Sequence, residues 1–362
     1  MTYYDDMAEI WDPHAGEEAT CLKEATFKDA DVSRAYLKAP GKLCREQRFP
    51  YGNPEENKWT TEENLELFSM CGTNFDGSKM FFSYFKNVDF TNASLERAQM
   101  YNTGFVQDRA RSANFVSATL TNACIAWCDF KNADFTAASL TETVLMRVNF
   151  DGAKLKDANF SYSNIVDCNF EGASCQNVSF KNMIQNTDSL KKKKPKALKD
   201  IDINEPQGIR FDYTILTNTD FSGAMLDDVS FVNAIGQDCV FTKATGRNVI
   251  FSCSLFTSSI FNATCLEVCC FENTIFRDSV FIKTEFVNSV FDKVDFSKIL
   301  VNDTGDVCFI GGYMKDVDFS YAAGLTATCF RNITLCGVDF RGTGIRKCDF
   351  NASTRLDDKC IF

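Results

Sequence analysis

Large apolar side chains return at every fifth position along much of this chain. From Phe75 the series runs Met80, Phe85, Phe90, Leu95, Met100, Phe105, Ala110, Phe115, Leu120, Ile125 and Phe130, and continues in phase through Phe150, Leu155, Phe160, Ile165 and Phe170 to Phe180. A small or β-branched residue stands two places before most of these centres, as at Thr73, Ser78, Val88, Ala93, Ala98, Ala113 and Ala118. Asp or Asn often lies between the two, as at Asn74, Asp89, Asn114, Asp129, Asp134, Asn149 and Asn159. Neither the 3.6-residue helix nor a plain alternating strand gives a period of five. A short extended segment followed by a two-residue corner does. Alternation turns the small residue and the centre inward and the residue between them outward, and the remaining two positions turn the chain. Asp and Asn suit the place beside a tight turn because their side chains accept hydrogen bonds from nearby backbone amides. Much of the acidity is therefore expected to be structural.

A small residue, Asp or Asn, a large apolar residue and two polar residues form a unit that resembles the pentapeptide-repeat family, over about 270 residues of the chain. The resemblance implies an all-β fold: a right-handed quadrilateral β-helix in which four repeats, about twenty residues, make one coil. About 13 coils give a rod of roughly 65 Å at the spacing of neighbouring strands. Residues twenty apart should then stack, which predicts a core ladder of Phe211, Phe231, Phe251, Phe271 and Phe291 and a second column through Met80, Met100, Leu120, Leu140, Phe160 and Phe180. Such an interior is filled with side chains, which removes the commonest place for a small-molecule site.

Breaks in the period divide the chain. Residues 1–19 are expected to cap the amino end, with Tyr3, Met7, Ile10 and Trp11 on one face of a short helix over residues 2–11. Centres Leu22, Phe27, Val32 and Leu37 make a first coil over 20–37, which must stack on the coil starting near Thr73. Residues 38–72 form a loop insertion; within it Thr60 and Glu63 make a capping box for a short helix running to Phe68. The β-helix runs over 73–183, a Lys-rich loop spans 184–208, and the second part of the β-helix covers 209–356. Residues 357–362 are read as a tail. Within the second part the phase slips by three residues after Val301 and by one before Leu325. A single rod is expected rather than two hinged ones, because separation would expose two apolar coil ends and unpaired strand edges. Asp108 at an inward position, with Gly236 and Gly246 at centres, is expected to mark a locally distorted coil, with bulges or a partner's docking site as the alternatives.

Chemistry is sparse. His14 is the one histidine, and nothing around it suggests a base for a Ser or Cys nucleophile. Phosphate-cradling glycine loops are absent, and no catalytic, cofactor-binding or metal-ligating residues are assigned; the chain reads as a non-enzyme without cofactors. Residues 200–205, DIDINE, have the alternating acids that open an EF-hand but lack its glycine and distal glutamate. Asn-X-Ser/Thr triplets such as Asn92-Ala93-Ser94 are a by-product of repeat composition. Seventeen cysteines are scattered without paired motifs, which fits a reducing compartment. By register Cys128, Cys168, Cys239, Cys269 and Cys348 take the small inward position and Cys175 a centre, while Cys124, Cys265, Cys270, Cys308 and Cys329 face outward. Cys308 and Cys329 should lie on adjacent coils, within reach of a disulfide, although free thiols are the preferred reading.

Net charge is −11, which argues against a nucleic-acid binder or an anionic membrane surface. No run of about 18 apolar residues is present, and the acidic start does not resemble a signal peptide, so a cytoplasmic location is expected. The one basic cluster, Lys191, Lys192, Lys193, Lys194 and Lys196, leaves room for nuclear import or an acidic partner. The preferred function is a non-enzymatic interaction or structural protein, a rigid rod that positions protein partners in a larger assembly. Loops 38–62 and 184–207 would give specificity, through Phe49, Tyr51, Trp59 and the lysine cluster. No direct nucleic-acid, membrane or small-molecule binding is expected. The alternative follows from the resemblance, since the quinolone-resistance group of the family acts on DNA gyrase: an acidic DNA mimic that inhibits a topoisomerase or a similar DNA-binding enzyme. Duplex DNA carries one charge per about 1.7 Å, so a rod of this length would need about 40 charges, several times the net charge present.

Overall fold

The computed structural model describes residues 22, 24–38, 67–186, 208–301, 307–325, 328–345 and 348–362. They wind into a right-handed, four-sided β-solenoid of about 13 turns. Every strand pairing is parallel, and the regular register is twenty residues: Asn74 pairs with Ser94, then Asn114, Asp134, Lys154 and Ser174. Within each repeat the small residue and the centre are buried, as Ala93 and Leu95 are, and the residue between them faces out.

Two kinds of corner close the square. In the first, the carbonyl of the centre accepts from the amide three residues on: Phe90 from Ala93 at 2.8 Å, Leu95 from Ala98 at 3.1 Å, Phe115 from Ala118 at 3.0 Å. The residue two places after the centre is left-handed, as at Asn92 (φ 57°), Asn132 (58°) and Gly152 (65°), which is the demand of a type II turn. Arg97, Ser117 and even Tyr162 hold the same conformation. Each such residue costs about 1 kcal/mol, offset by ladder hydrogen bonds to the coils on either side. The outward Asp or Asn completes the corner. Asn74 accepts from the amide of Asp76 at 2.8 Å, Asp89 from Thr91 at 2.9 Å, Asn159 from Ser161 at 2.9 Å and Asp220 from Ser222 at 2.8 Å. The expected structural role of the acids is thus visible atom by atom.

In the second kind of corner, which follows three-residue strands such as Ile235–Gln237 and Cys265–Glu267, a side chain one coil further on takes the amide of the small residue. Ser259 Oγ accepts from Cys239 N at 3.2 Å, and Ser289 Oγ from Cys269 N at 3.1 Å. Asp108 does the same with more reach: Oδ1 accepts from Val88 N at 2.7 Å and Oδ2 from Val106 N at 2.9 Å. The expected distortion there is not found, because Asp89, Arg109 and Asp129 remain in register beside it. Burial pushes the Asp108 carboxyl well above the usual carboxylate range, against the two amides and the nearby Lys86 charge, which pull it down. Gly236 and Gly246 likewise sit in regular strands without bulges. A Cβ on Gly236 would fall 2.4 Å from the Phe256 ring, so the ring fills the volume that a large centre would occupy.

Phenylalanine rings occupy the axis. Phe211, Phe231, Phe251, Phe271 and Phe291 stack with successive centroid distances of 5.3, 5.1, 5.0 and 4.8 Å. Rings from the opposite side meet them edge-on, as Phe180 meets Phe170 at 5.5 Å and 84°. Offset and edge-to-face contacts of this kind add about 0.5–1.5 kcal/mol to area burial.

The insertions interrupt the sequence and not the ladder. Residues 24–38 stack directly on 72–86, with Tyr36–Lys38 paired to Tyr84–Lys86 and Phe27 over Phe75 at 5.1 Å. Across residues 187–207, Asn169 pairs with Arg210 and Ser174 with Ile215, and the Phe170 and Phe211 rings stack at 4.9 Å. The described coils form one rod. Its winding also starts and ends further out than expected. Phe68–Ser69 pairs with Val88–Asp89, so Phe68 belongs to a strand and not to the end of a helix. At the carboxyl end Ile361 bridges to Asp339 and the Phe362 ring stacks on Phe340 at 5.5 Å, so 357–362 continue the coil instead of forming a tail. No α-helix occurs among the described residues; the proposed cap over residues 2–11 and residues 60–66 of the short helix lie outside them.

Candidate interaction surface

Because the interior is packed, function falls to the outward positions, above all the residue before each centre. In the first section, residues 67–186, three of the four faces carry polar residues there: Asn74, Ser94, Asn114 and Asp134 on one, Lys79, Gln99, Thr119 and Ser139 on the next, Asp89, Arg109, Asp129 and Asn149 on a third. Many of the acids are paired with bases, mostly on neighbouring coils. Arg111 reaches Asp129 at 2.5 Å, Arg147 reaches Asp167 at 3.3 Å, Lys154 reaches Asp134 at 3.4 Å, and Arg210 reaches Glu171 at 3.3 Å. Most of these pairs are partly solvated and add little stability, but they cancel charge along the rod.

The fourth face of that section is different. Its strands, Gly104–Val106, Cys124–Ala126, Val144–Met146 and Asn164–Val166, present apolar residues outward, yet Val106, Ala126, Met146 and Val166 are buried. Cys124, Ala126, Trp127, Met146 and Val166 form a second apolar cluster outside the main core, with the Arg147 guanidinium 5.9 Å from the Trp127 ring centroid. Cys124 and Cys329 were expected on the outward side; both are buried.

In the second section, residues 208–301, the outward position before the centre turns aliphatic and stays accessible. Ile215, Ile235, Leu255 and Ile275 form one ladder in register. Val240, Ile260, Val280 and Leu300 form the next, and Ile250, Cys270 and Val290 a third. Ile235 is 50% exposed and Leu300 51%. Charged residues at the corners, among them Asp238, Lys243, Arg277 and Lys283, frame these rungs. Contiguous apolar rungs with a polar rim are the composition of a protein-binding surface. The signal was present in the sequence, as a switch from Asp and Asn to Ile and Val before the centre.

The residues expected to bind partners, Phe49, Tyr51, Trp59, Lys191, Lys192, Lys193, Lys194 and Lys196, all lie outside the described residues, as does His14. Cys128, Cys168, Cys175, Cys239 and Cys269 are buried as expected, and burial pushes the Cys168, Cys239 and Cys269 thiols up to about 12, away from nucleophilic use. No cluster of His, Cys, Asp and Glu suited to a metal occurs among the described residues, and none of their helices is long and apolar enough to cross a membrane.

A family model described as pentapeptide repeats, in eight copies, matches residues 109–136, 128–165 and 207–235, within the coils that show the five-residue unit and its twenty-residue register. These segments carry pentapeptide repeats. Solved structures similar to this chain include HetL, a pentapeptide repeat protein involved in heterocyst differentiation regulation from the cyanobacterium Nostoc, at 13% identity over 63% of this chain and 90% of that one, with a TM-score of 0.40. QnrB1, a plasmid-mediated fluoroquinolone resistance protein, aligns at 22% identity over 49% of this chain and 78% of its own, with a TM-score of 0.29. A protein of the Arabidopsis thaliana thylakoid lumen aligns at 27% identity over 28% and 68%, with a TM-score of 0.20. Comparison with curated proteins gives no match.

Proposed function

We propose that this chain is a non-enzymatic interaction protein, a rigid rod whose second section docks a protein partner and whose first section acts as a solvated spacer. The observation that carries the reading is the ladder Ile215, Ile235, Leu255 and Ile275, its first two members exposed and its last two half-buried, held on a backbone that the stacked core keeps from relaxing. The insertions, read from sequence as 38–62 and 184–207, would add specificity at the two places where the chain leaves the rod. A partner bound through aliphatic rungs is held by burial, which added salt does not weaken. The DNA-mimic alternative requires unpaired acids along one face. Even the column Asp295, Asp318 and Asp339 has its first and last members paired, with Arg277 and Arg341.

Native-salt affinity purification with mass spectrometry tests this, comparing the intact chain with the double variant Ile235→Glu/Leu255→Glu and repeating the wash at raised salt. The expected result is a defined protein set that survives the salt and is lost with the double variant. A set lost to salt and kept by the double variant would favour the charge-based reading.

A further inference from the structure

We propose that Cys308 and Cys329 are a redox modification site: a thiol pair that oxidises to a disulfide and clips together two coils where the register departs from twenty. This inference stands independently of the proposed partner.

The register departs from twenty there. Cys265 pairs with Glu285 at the regular spacing of twenty, but Glu285 pairs with Cys308 and Cys308 with Cys329, so those coils hold twenty-three and twenty-one residues; Cys329 and Asp349 return to twenty. In the sequence the extra residues lie between Leu300 and Cys308 and between Ala323 and Cys329. The two cysteines open the strands that follow, Cys308–Ile310 and Cys329–Arg331.

Register brings the thiols together. Cys308 and Cys329 are Cα partners in neighbouring parallel strands, and Cys329 N donates to Val307 O at 2.9 Å. Neighbouring strands lie about 4.8 Å apart, inside the range of about 4.4–6.8 Å between Cα atoms that a disulfide spans. Both hold the place before the centre on one face, and neither forms a disulfide in the structure. No other two cysteines are register partners among the described residues. Cys265 belongs to the same column, but Glu285 separates it from Cys308.

Exposure divides the roles. Cys308 is half-buried and meets the oxidant; Cys329 is buried and resolves. With a peroxide, the Cys308 sulfur attacks one oxygen, the O–O bond breaks, and the departing hydroxide takes the thiol proton as water, leaving a sulfenic acid. The Cys329 sulfur then displaces the sulfenic oxygen, which leaves as a second water with the Cys329 proton. One peroxide is reduced, two S–H bonds are lost and one S–S bond forms. Two equivalents of a small thiol such as glutathione reverse the step by exchange.

The full-length protein, reduced and then titrated with hydrogen peroxide, is alkylated, digested without reductant and mapped by mass spectrometry. The expected product is the Cys308 peptide joined to the Cys329 peptide, with Cys265 still alkylated and both thiols recovered on adding glutathione. The thermal unfolding midpoint should rise on oxidation in the wild type and stay unmoved in Cys308→Ser. Wild-type mapping decides the matter whether or not that variant folds. Cys308 found as sulfinic acid, bridged to a different cysteine, or still alkylatable after exposed Cys253 has been oxidised would overturn the proposal.

Discussion

The two sections of the rod, 67–186 and 208–301, share one interior and differ outside. Their phenyl columns run through the junction without a change of stacking, from Phe150 to Phe170 at 5.0 Å and on to Phe211 at 4.9 Å. Their outward rungs change from Asn, Asp, Ser and Thr to Ile, Val and Leu. Core packing therefore fixes the shape and leaves the residue before each centre free to vary. The comparison teaches where to look for function in such a solenoid: at outward positions that depart from the turn-forming Asp or Asn, because the corner does not need the aliphatic residue that stands there.

The sharpest way to break the shared-core half of the comparison is Phe170→Ala, at the junction. Deleting a fully buried ring costs about 3–5 kcal/mol. Chemical denaturation should show one transition moving as a whole; two separated transitions would mean that the sections are independent. Next in size is Asp108. Its folded carboxyl pKa is raised by burial, so the folded state holds a proton that the unfolded chain releases. Stability from this group is present at low pH and falls as pH rises from the ordinary carboxylate range through the raised value. Asp108→Ser restores the short acceptor seen in Ser259 and Ser289 and should flatten that decline; a change of about 1–3 kcal/mol is expected in denaturation series across pH. Unaltered pH dependence in the variant would show that Asp108 is not its source.

Smaller effects test the surfaces. Breaking the Arg147–Asp167 pair with Arg147→Ala removes both a contact to a buried carboxylate and packing on Trp127, so a loss of about 1–2 kcal/mol is expected. Smallest of all, Ile235→Glu and Leu255→Glu should change stability by no more than about 0.5 kcal/mol, since neither supports the core. A large loss at Leu255 would make it a packing residue and remove it from the proposed surface.

Much of this architecture is legible in the sequence because it is local. The five-residue period gives the inward alternation, and the slips after Val301 and before Leu325 reappear as longer coils that keep Phe286, Phe309 and Phe330 stacked. The left-handed position two places after the centre came only from the structure, which shows it at Asn92, Asn132, Gly152 and Asp157 and equally at Trp127 and Tyr162. The burial of Cys124 and Met146 could not be read from pattern, because by register they face outward and burial on that side depends on contacts far away in the chain. Gly236 misled for a related reason: the ring that fills its space, that of Phe256, comes from the next coil.

The claim of one core beneath two surfaces is tested most directly by hydrogen exchange at the junction. Phe170 N donates to Arg210 O at 2.7 Å, Cys175 N to Ile215 O at 2.8 Å and Phe180 N to Asp220 O at 2.7 Å, all three across the 187–207 insertion. If the rod is continuous, these amides exchange as slowly as Phe130 and Phe150 inside the first section, and only through global opening. Exchange at the three amides faster than at Phe130 and Phe150, with both sections otherwise protected, would show two rods joined by a linker and would contradict the account.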